Sequence, residues 1–239
     1  MPTALTRANL LDEIRRRLGE RSAGSTTTNS DASDTEIYRA INQYMTALPS
    51  KLSQVGQAFG LAPTDKTIRF DMWRTSIDST TVAAGTSLVT AAGSSTIDFP
   101  ANYDHWISFY DITHKKPIYP IEEVSRWFYE ELRDAPAGPT KGIEILGMVS
   151  GGSSTWRRRA RLRPDVAATV TPSIEMVYWR LPTDLSTATS ELDIDYKYAM
   201  LGINGPMLEL LRPDDPAYER YLTLEKSMLM DLARTGKAT

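Results

Sequence analysis

Near Lys66 the spacing of apolar residues changes, and near Asp184 it changes back. Before the first point they recur every three or four residues. Between the two points they alternate with polar residues, and after the second the longer period returns. A period near 3.6 gives a helix one apolar face, and a period of two does the same for a strand. Strands grouped between helices, rather than interleaved with them, predict an α+β fold. The expected arrangement is a bundle of N- and C-terminal helices with an inserted antiparallel β domain carrying one short helix. Residues 1–65 would supply the first helices of the bundle, 66–183 the β-rich domain, and 184–239 the helices that complete the bundle.

Within that frame, residues 5–19 carry Leu10, Leu11, Ile14 and Leu18 on one face, with Gly19 as a stop. The polar stretch SAGSTTTNSD, residues 22–31, predicts a flexible loop. Ser33 followed by Glu36 reads as a capping box, and Ile37, Ile41, Tyr44, Met45 and Leu48 form the apolar face behind it. Pro49 predicts the end of that helix. Strands are expected in KTIRFDMWRTSID, SLVTAAGSSTIDF, HWISFYDI, GIEILGMV, Trp156–Arg163 and SIEMVYWRL, and a helix in IEEVSRWFYEEL. GMVSGG, residues 147–152, reads as a hairpin turn. Beyond Asp184, Gly205-Pro206 should kink or break a helix over 194–211. Residues 215–233 form a last helix and GKAT a frayed tail.

The search for chemistry is mostly negative. The chain has 239 residues, a formal net charge of −3 and no cysteine, so disulfides, thiolate nucleophiles and cysteine zinc sites are excluded. No apolar run approaches the roughly 20 residues of a membrane helix, and the N-terminus lacks the apolar core of a signal peptide. His105 and His114 have no metal-binding spacing, and His105 reads as a strand histidine rather than a catalytic base. There is no GxSxG elbow, phosphate loop or GxGxxG. In ELDID, Glu191, Asp193 and Asp195 read as helix-start carboxylates rather than cation ligands. Trp73, Trp106, Trp127, Trp156 and Trp179 fall one per segment and read as core or interface anchors. No catalytic group, metal or cofactor is expected, and the chain reads as a non-enzyme.

One segment stands apart. WRRRARLRPD places five arginines in the seven positions from Arg157 to Arg163. As a strand it sends Arg157, Arg159, Arg161 and Arg163 to one face, and Trp156, Arg158, Ala160 and Leu162 to the other. Four like charges in a row need solvent, carboxylates or phosphate. The acidic surroundings favour carboxylates, within or between chains, over nucleic acid.

The order of several segments resembles the head-to-tail adaptor, or connector, family of tailed bacteriophages. They are the SDTEIYRAIN helix, IDFPANYDHWISFYDI, KPIYPIEEVSRWFYEEL, GPTKGIEI, RLRPDV and a closing pair of helices. The likeness runs from about Leu10 to Leu232 and lies in the order of many weak motifs. The run Arg157–Arg159 and the long loop at 22–31 depart from it. The resemblance implies a viral structural protein of the virion neck, made in the host cytoplasm. It would form a ring of about twelve copies under the portal protein. The ring would extend the DNA channel without binding DNA specifically and meet the next tail or neck protein. Arg157, Arg159, Arg161, Arg163 and Trp156 would then contact a neighbouring subunit or the portal. Three other readings compete. One is a different neck or tail ring protein, such as a tail-tube or nozzle gatekeeper. Another is a carbohydrate-binding β module using Trp106 and Trp156. The last is a hydrolase using His105.

Overall fold

The computed structural model describes residues 5–22, 32–61, 68–79, 88, 93–121, 126–150, 156–235 and 237–238. The 22–31 loop, apart from Ser22, lies outside them, as does the turn at Gly151-Gly152. The chain divides into two compact units. Unit 1 holds Met1–Trp73 and Leu181–Thr239, and unit 2 holds Arg74–Arg180.

In unit 1, α1 (Arg7–Ser22) buries Leu10, Leu11, Ile14 and Leu18. Then α2 (Asp34–Ala58) starts at a capping box. The Ser33 hydroxyl accepts from the Glu36 amide at 3.3 Å, and the Glu36 carboxylate accepts from the Ser33 amide at 2.7 Å. Pro49 does not end this helix, which runs on to Ala58. Buried Leu48 and Leu52 on either side of Pro49 hold both halves against one core, which offsets the lost hydrogen bond. The chain leaves α2 through Gly60, whose φ of +67° is the left-handed conformation that closes a helix end.

A short ladder pairs β1 (Ile68–Arg69) with β9 (Lys237–Ala238). The GKAT end is therefore partly strand rather than wholly frayed. Between β1 and the next strand, Asp71–Trp73 form a 3-10 turn, and Trp73 Nε1 donates to the Asp193 carbonyl at 2.8 Å. KTIRFDMWRTSID is therefore not one continuous strand.

Unit 2 is built on a seven-stranded mixed sheet. Its strands are β2 (Arg74–Asp78), β3 (Thr96–Asp98), β4 (Tyr103–Asp111), β5 (Lys116–Pro120), β6 (Gly142–Ser150), β7 (Trp156–Arg163) and β8 (Ile174–Arg180), in the order β2-β8-β4-β5-β6-β7-β3. One core gathers Ile97, Phe99, Phe109, Ile118, Ile143, Ala160, Leu162, Ile174, Met176 and Tyr178. Between β5 and β6 the chain passes through α3 (Arg126–Asp134). Here α3 packs on the sheet at Gly142, where an added Cβ would come within 2.7 Å of Leu132 Cδ1 and 3.1 Å of Ile121 Cγ1.

The helices that complete unit 1 are α4 (Leu201–Leu210) and α5 (Tyr218–Ala233). Gly205-Pro206 lies inside α4 without breaking it, although a 3-10 turn at Tyr196–Tyr198 precedes it.

These findings correct the expected arrangement while keeping the α+β class. The β block is not an antiparallel insert in a helical bundle. Strands β5 and β6 pair in parallel because the helical connection between them returns the chain in the same direction. The terminal helices do not form a plain bundle either. Residues Leu201 to Met207 of α4 are all buried, so α4 is a central helix apolar on every side rather than one amphipathic stave among equals. An irregular segment ties down the start of α1 instead. Arg7 and Ala8 amides donate to the Ser190 and Ala188 carbonyls, and Thr6 bridges Glu191.

One ion cluster on α1 carries a pH prediction. Glu13 accepts from Arg17 at 2.7 Å and from Arg16 at 2.9 and 3.0 Å. Those hydrogen bonds lower its pKa from 4.5 to about 2. A depressed carboxylate pKa stabilises the folded state above the ordinary value and loses that contribution as pH falls through the folded one. Glu13→Gln should flatten the stability loss of unit 1 between pH 4.5 and about 2. The effect should be about 1 kcal/mol, because the cluster is partly solvated. Parallel loss in variant and parent, read from urea midpoints across that range, would contradict it.

Candidate interaction surface

Strand β7 lies between β6 and β3, with Ala160 and Leu162 turned into the core and fully buried. Alternation then forces Arg157, Arg159, Arg161 and Arg163 to the other side. Carboxylates of the same chain answer three of them. Arg159 stands directly across from Asp98 and donates Nε to Oδ1 at 2.6 Å and Nη2 to Oδ2 at 3.1 Å, a bidentate fork. Arg161 reaches Asp165 at 2.9 and 3.1 Å through Nη2. Arg163 reaches Glu144 at 3.0 Å, and Glu144 also accepts from the Tyr129 hydroxyl of α3 at 3.5 Å. The carboxylates hold the Arg159 and Arg161 pKa values above the ordinary guanidinium value, and Arg161 holds that of Asp165 below its own.

The arginine face is thus a compensated ladder rather than an open cationic stripe. Of the five residues expected to contact a neighbour, Arg159, Arg161 and Arg163 are engaged within their own chain. Arg157 has its Nε enclosed with no hydrogen-bond partner among the described residues. Trp156 begins the strand, and its side chain lies outside the described residues. Arg158 is exposed, with its guanidinium 5.9 Å from the Tyr103 ring centroid.

The pairs differ in depth. The Arg163 side chain is 9% exposed, whereas that of Arg159 is 40% exposed. Arg163→Met strands the half-buried Glu144 and should cost about 2 kcal/mol, less than the roughly 3–5 kcal/mol of a fully buried broken pair, because Glu144 keeps some solvent and the Tyr129 hydroxyl. Arg159→Met should cost less than about 1 kcal/mol. Equal losses in urea denaturation would contradict this ranking.

The other sequence candidates have structural surroundings. His105 stacks near Trp106 and Trp179, with centroids at 5.6 and 6.4 Å. Trp106 packs partly into the core beside Phe109. His114 Nδ1 lies 2.8 Å from Asp111, which is buried at the end of β4 and also accepts from the His114 amide at 3.0 Å. Asp111, His114 and Ser173 line one small cavity of about 20 Å³, room for about one water molecule. In ELDID, Asp195 caps the Lys197 amide at 2.9 Å and Asp193 accepts from the Thr183 amide at 2.9 Å. Among the described residues no cluster of potential metal ligands occurs. Nor is any helix long and apolar enough to cross a membrane.

A feature that the periodicity of the sequence does not single out is which large apolar side chains of unit 2 stay outside its core. Tyr110, Tyr119, Trp127 and Met148 are all exposed, Trp127 most of all at 71%. Trp127 sits among α3 residues whose opposite side, at Leu132, is buried. An indole at a helix position that its own core does not use is the one signal that could have marked it. No protein-family model matches the chain, and no curated protein matches its sequence.

Proposed function

We propose that this protein is a non-enzymatic structural component of a tailed-phage neck. In this reading it is a head-to-tail adaptor that assembles as a ring between portal and tail around the DNA channel. The observation that carries the reading is the exposed apolar set Tyr110, Tyr119, Trp127 and Met148 on unit 2. Large apolar side chains left outside a finished core are what protein contacts use. The motif order supports it too, and its SDTE element has a physical role as the capping box of α2. Within this proposal the subunit and portal contacts fall to surfaces other than the arginine ladder, three of whose arginines already have carboxylates of their own. Compensated arginines also suit a channel through which DNA must slide, since each phosphate contact adds to affinity.

Peptide mass spectrometry of purified particles tests the reading. A molar ratio to the portal protein near one to one is the expected result. Absence of this chain from particles would overturn it.

A further inference from the structure

We propose that two faces of this chain are the complementary halves of one self-association contact. The outer face of α3 in one copy would seat in a basic groove beside α5 of the next. The inference rests on the ring-protein reading and names the contact such a ring would use.

The first half is acidic and aromatic. Trp127, Glu130, Glu131 and Asp134 stand at helix positions i, i+3, i+4 and i+7, and all four are exposed. That spacing puts them on one face. Asp134 is answered by Arg133 at 2.9 Å. Glu131 places a further negative charge beside the indole, and Glu130, itself engaged within the chain and acting on Arg133, adds a third carboxylate to the face.

The second half is basic with apolar walls. A groove of about 610 Å³ is lined on α5 by Thr223, Lys226, Ser227, Met230, Asp231 and Arg234, which recur at three- and four-residue steps and so form one stripe. Lys197, Tyr198 and Met228 complete the lining. Lys197 Nζ lies 2.9 Å from Asp231 and donates to the Tyr198 hydroxyl at 3.1 Å, so one cation and the one carboxylate offset each other. Lys226 and Arg234 leave the groove positive. Methionine side chains adapt to an aromatic ring and contact it favourably through sulfur. A phosphate backbone would want a row of cations, whereas this groove mixes two methionines, a tyrosine and a carboxylate among its cations. An indole flanked by glutamates matches both its charge and its apolar walls.

The two halves are different patches, so the contact is head-to-tail. Each copy then keeps one unused half, and association continues until a ring closes or a filament grows.

The experiment is sedimentation velocity of the full chain over a concentration series. It compares the parent, Trp127→Ala, Lys226→Glu and an equimolar mixture of the two variants. Both side chains are exposed, and circular dichroism checks that both variants keep the parent fold. The parent should form species larger than dimers, and each variant alone should associate about tenfold more weakly or worse. The mixture should stop at dimers, because one intact α3 face meets one intact groove. Parent-like assembly by either variant, a mixture that stays monomeric, or a monomeric parent would overturn the contact. Any of these, combined with a portal-matched ratio in particles, removes this contact and leaves the ring reading standing. Absence from particles removes the ring reading instead.

Discussion

Replacing Gly205 with alanine is expected to destabilise unit 1 by about 3 kcal/mol, at the upper end for overpacking a core. The sign is the informative part. In a helix interior alanine is normally better than glycine by about 1 kcal/mol, so propensity alone predicts a gain. The packing predicts the reverse. An added Cβ at Gly205 would overlap the ring of Tyr44, which is itself 1% exposed. Neither partner has room to give. The ring belongs to the buried face of α2, and every residue of α4 from Leu201 to Met207 is buried. Urea denaturation followed by helical circular dichroism measures the loss. Adding Tyr44→Leu to Gly205→Ala should recover part of it, since the steric partner is then smaller. A midpoint at or above that of the parent would show that the two helices can separate without penalty.

Removing Lys51 should cost nearly as much. Glu225 of α5 is 4% exposed, and Lys51 of α2 reaches its Oε1 at 3.2 Å. The same ammonium lies 5.0 Å from the Tyr44 ring centroid. Burial, together with the facing Glu225 carboxylate, pushes the Tyr44 phenol above its ordinary pKa, so the phenol stays neutral. Lys51→Met leaves a buried carboxylate with no cation and should cost about 3 kcal/mol. Lys51→Met combined with Glu225→Leu should recover most of that, because a buried pair replaced by apolar groups is often neutral. The measurement is a double-mutant cycle in urea. Additive losses would mean that the pair is not coupled and that Lys51 acts only through its aliphatic stem.

How much of this was legible in the sequence depends on whether the signal was local. The start of α2 was, because Ser33 and Glu36 satisfy each other within one turn. Its end was not. Pro49 is a local stop signal, but Leu48 and Leu52 bury against distant residues, and that packing outweighs it. Gly205-Pro206 misleads in the same way, since the absence of a Cβ at Gly205 is what lets Tyr44 approach. Alternation located the strands yet is silent about pairing direction, so the parallel β5–β6 pair could not be read from it. The arginine face of β7 followed from a period of two. Of its carboxylate partners, Asp165 is near in sequence, but Asp98 and Glu144 arrive through register, which no window of sequence contains. Trp127 was visible only as one tryptophan among five. Its exposure depends on which side of α3 meets the sheet at Gly142.

The division of the chain has a consequence for its birth on the ribosome. Unit 1 is built from the segments on either side of unit 2, which enters by β2 and leaves by β8, neighbours in its sheet. All the residues of unit 2 have emerged once Arg180 clears the exit tunnel, so it can fold first. The α1 and α2 helices are made earlier but must wait for α4 and α5 to cover Leu10, Ile14, Tyr44 and Leu48. The helices made first are therefore among the last to be covered. The interval in which those apolar faces stand bare is when a nascent chain of this protein is most exposed to chaperones, proteases and aggregation.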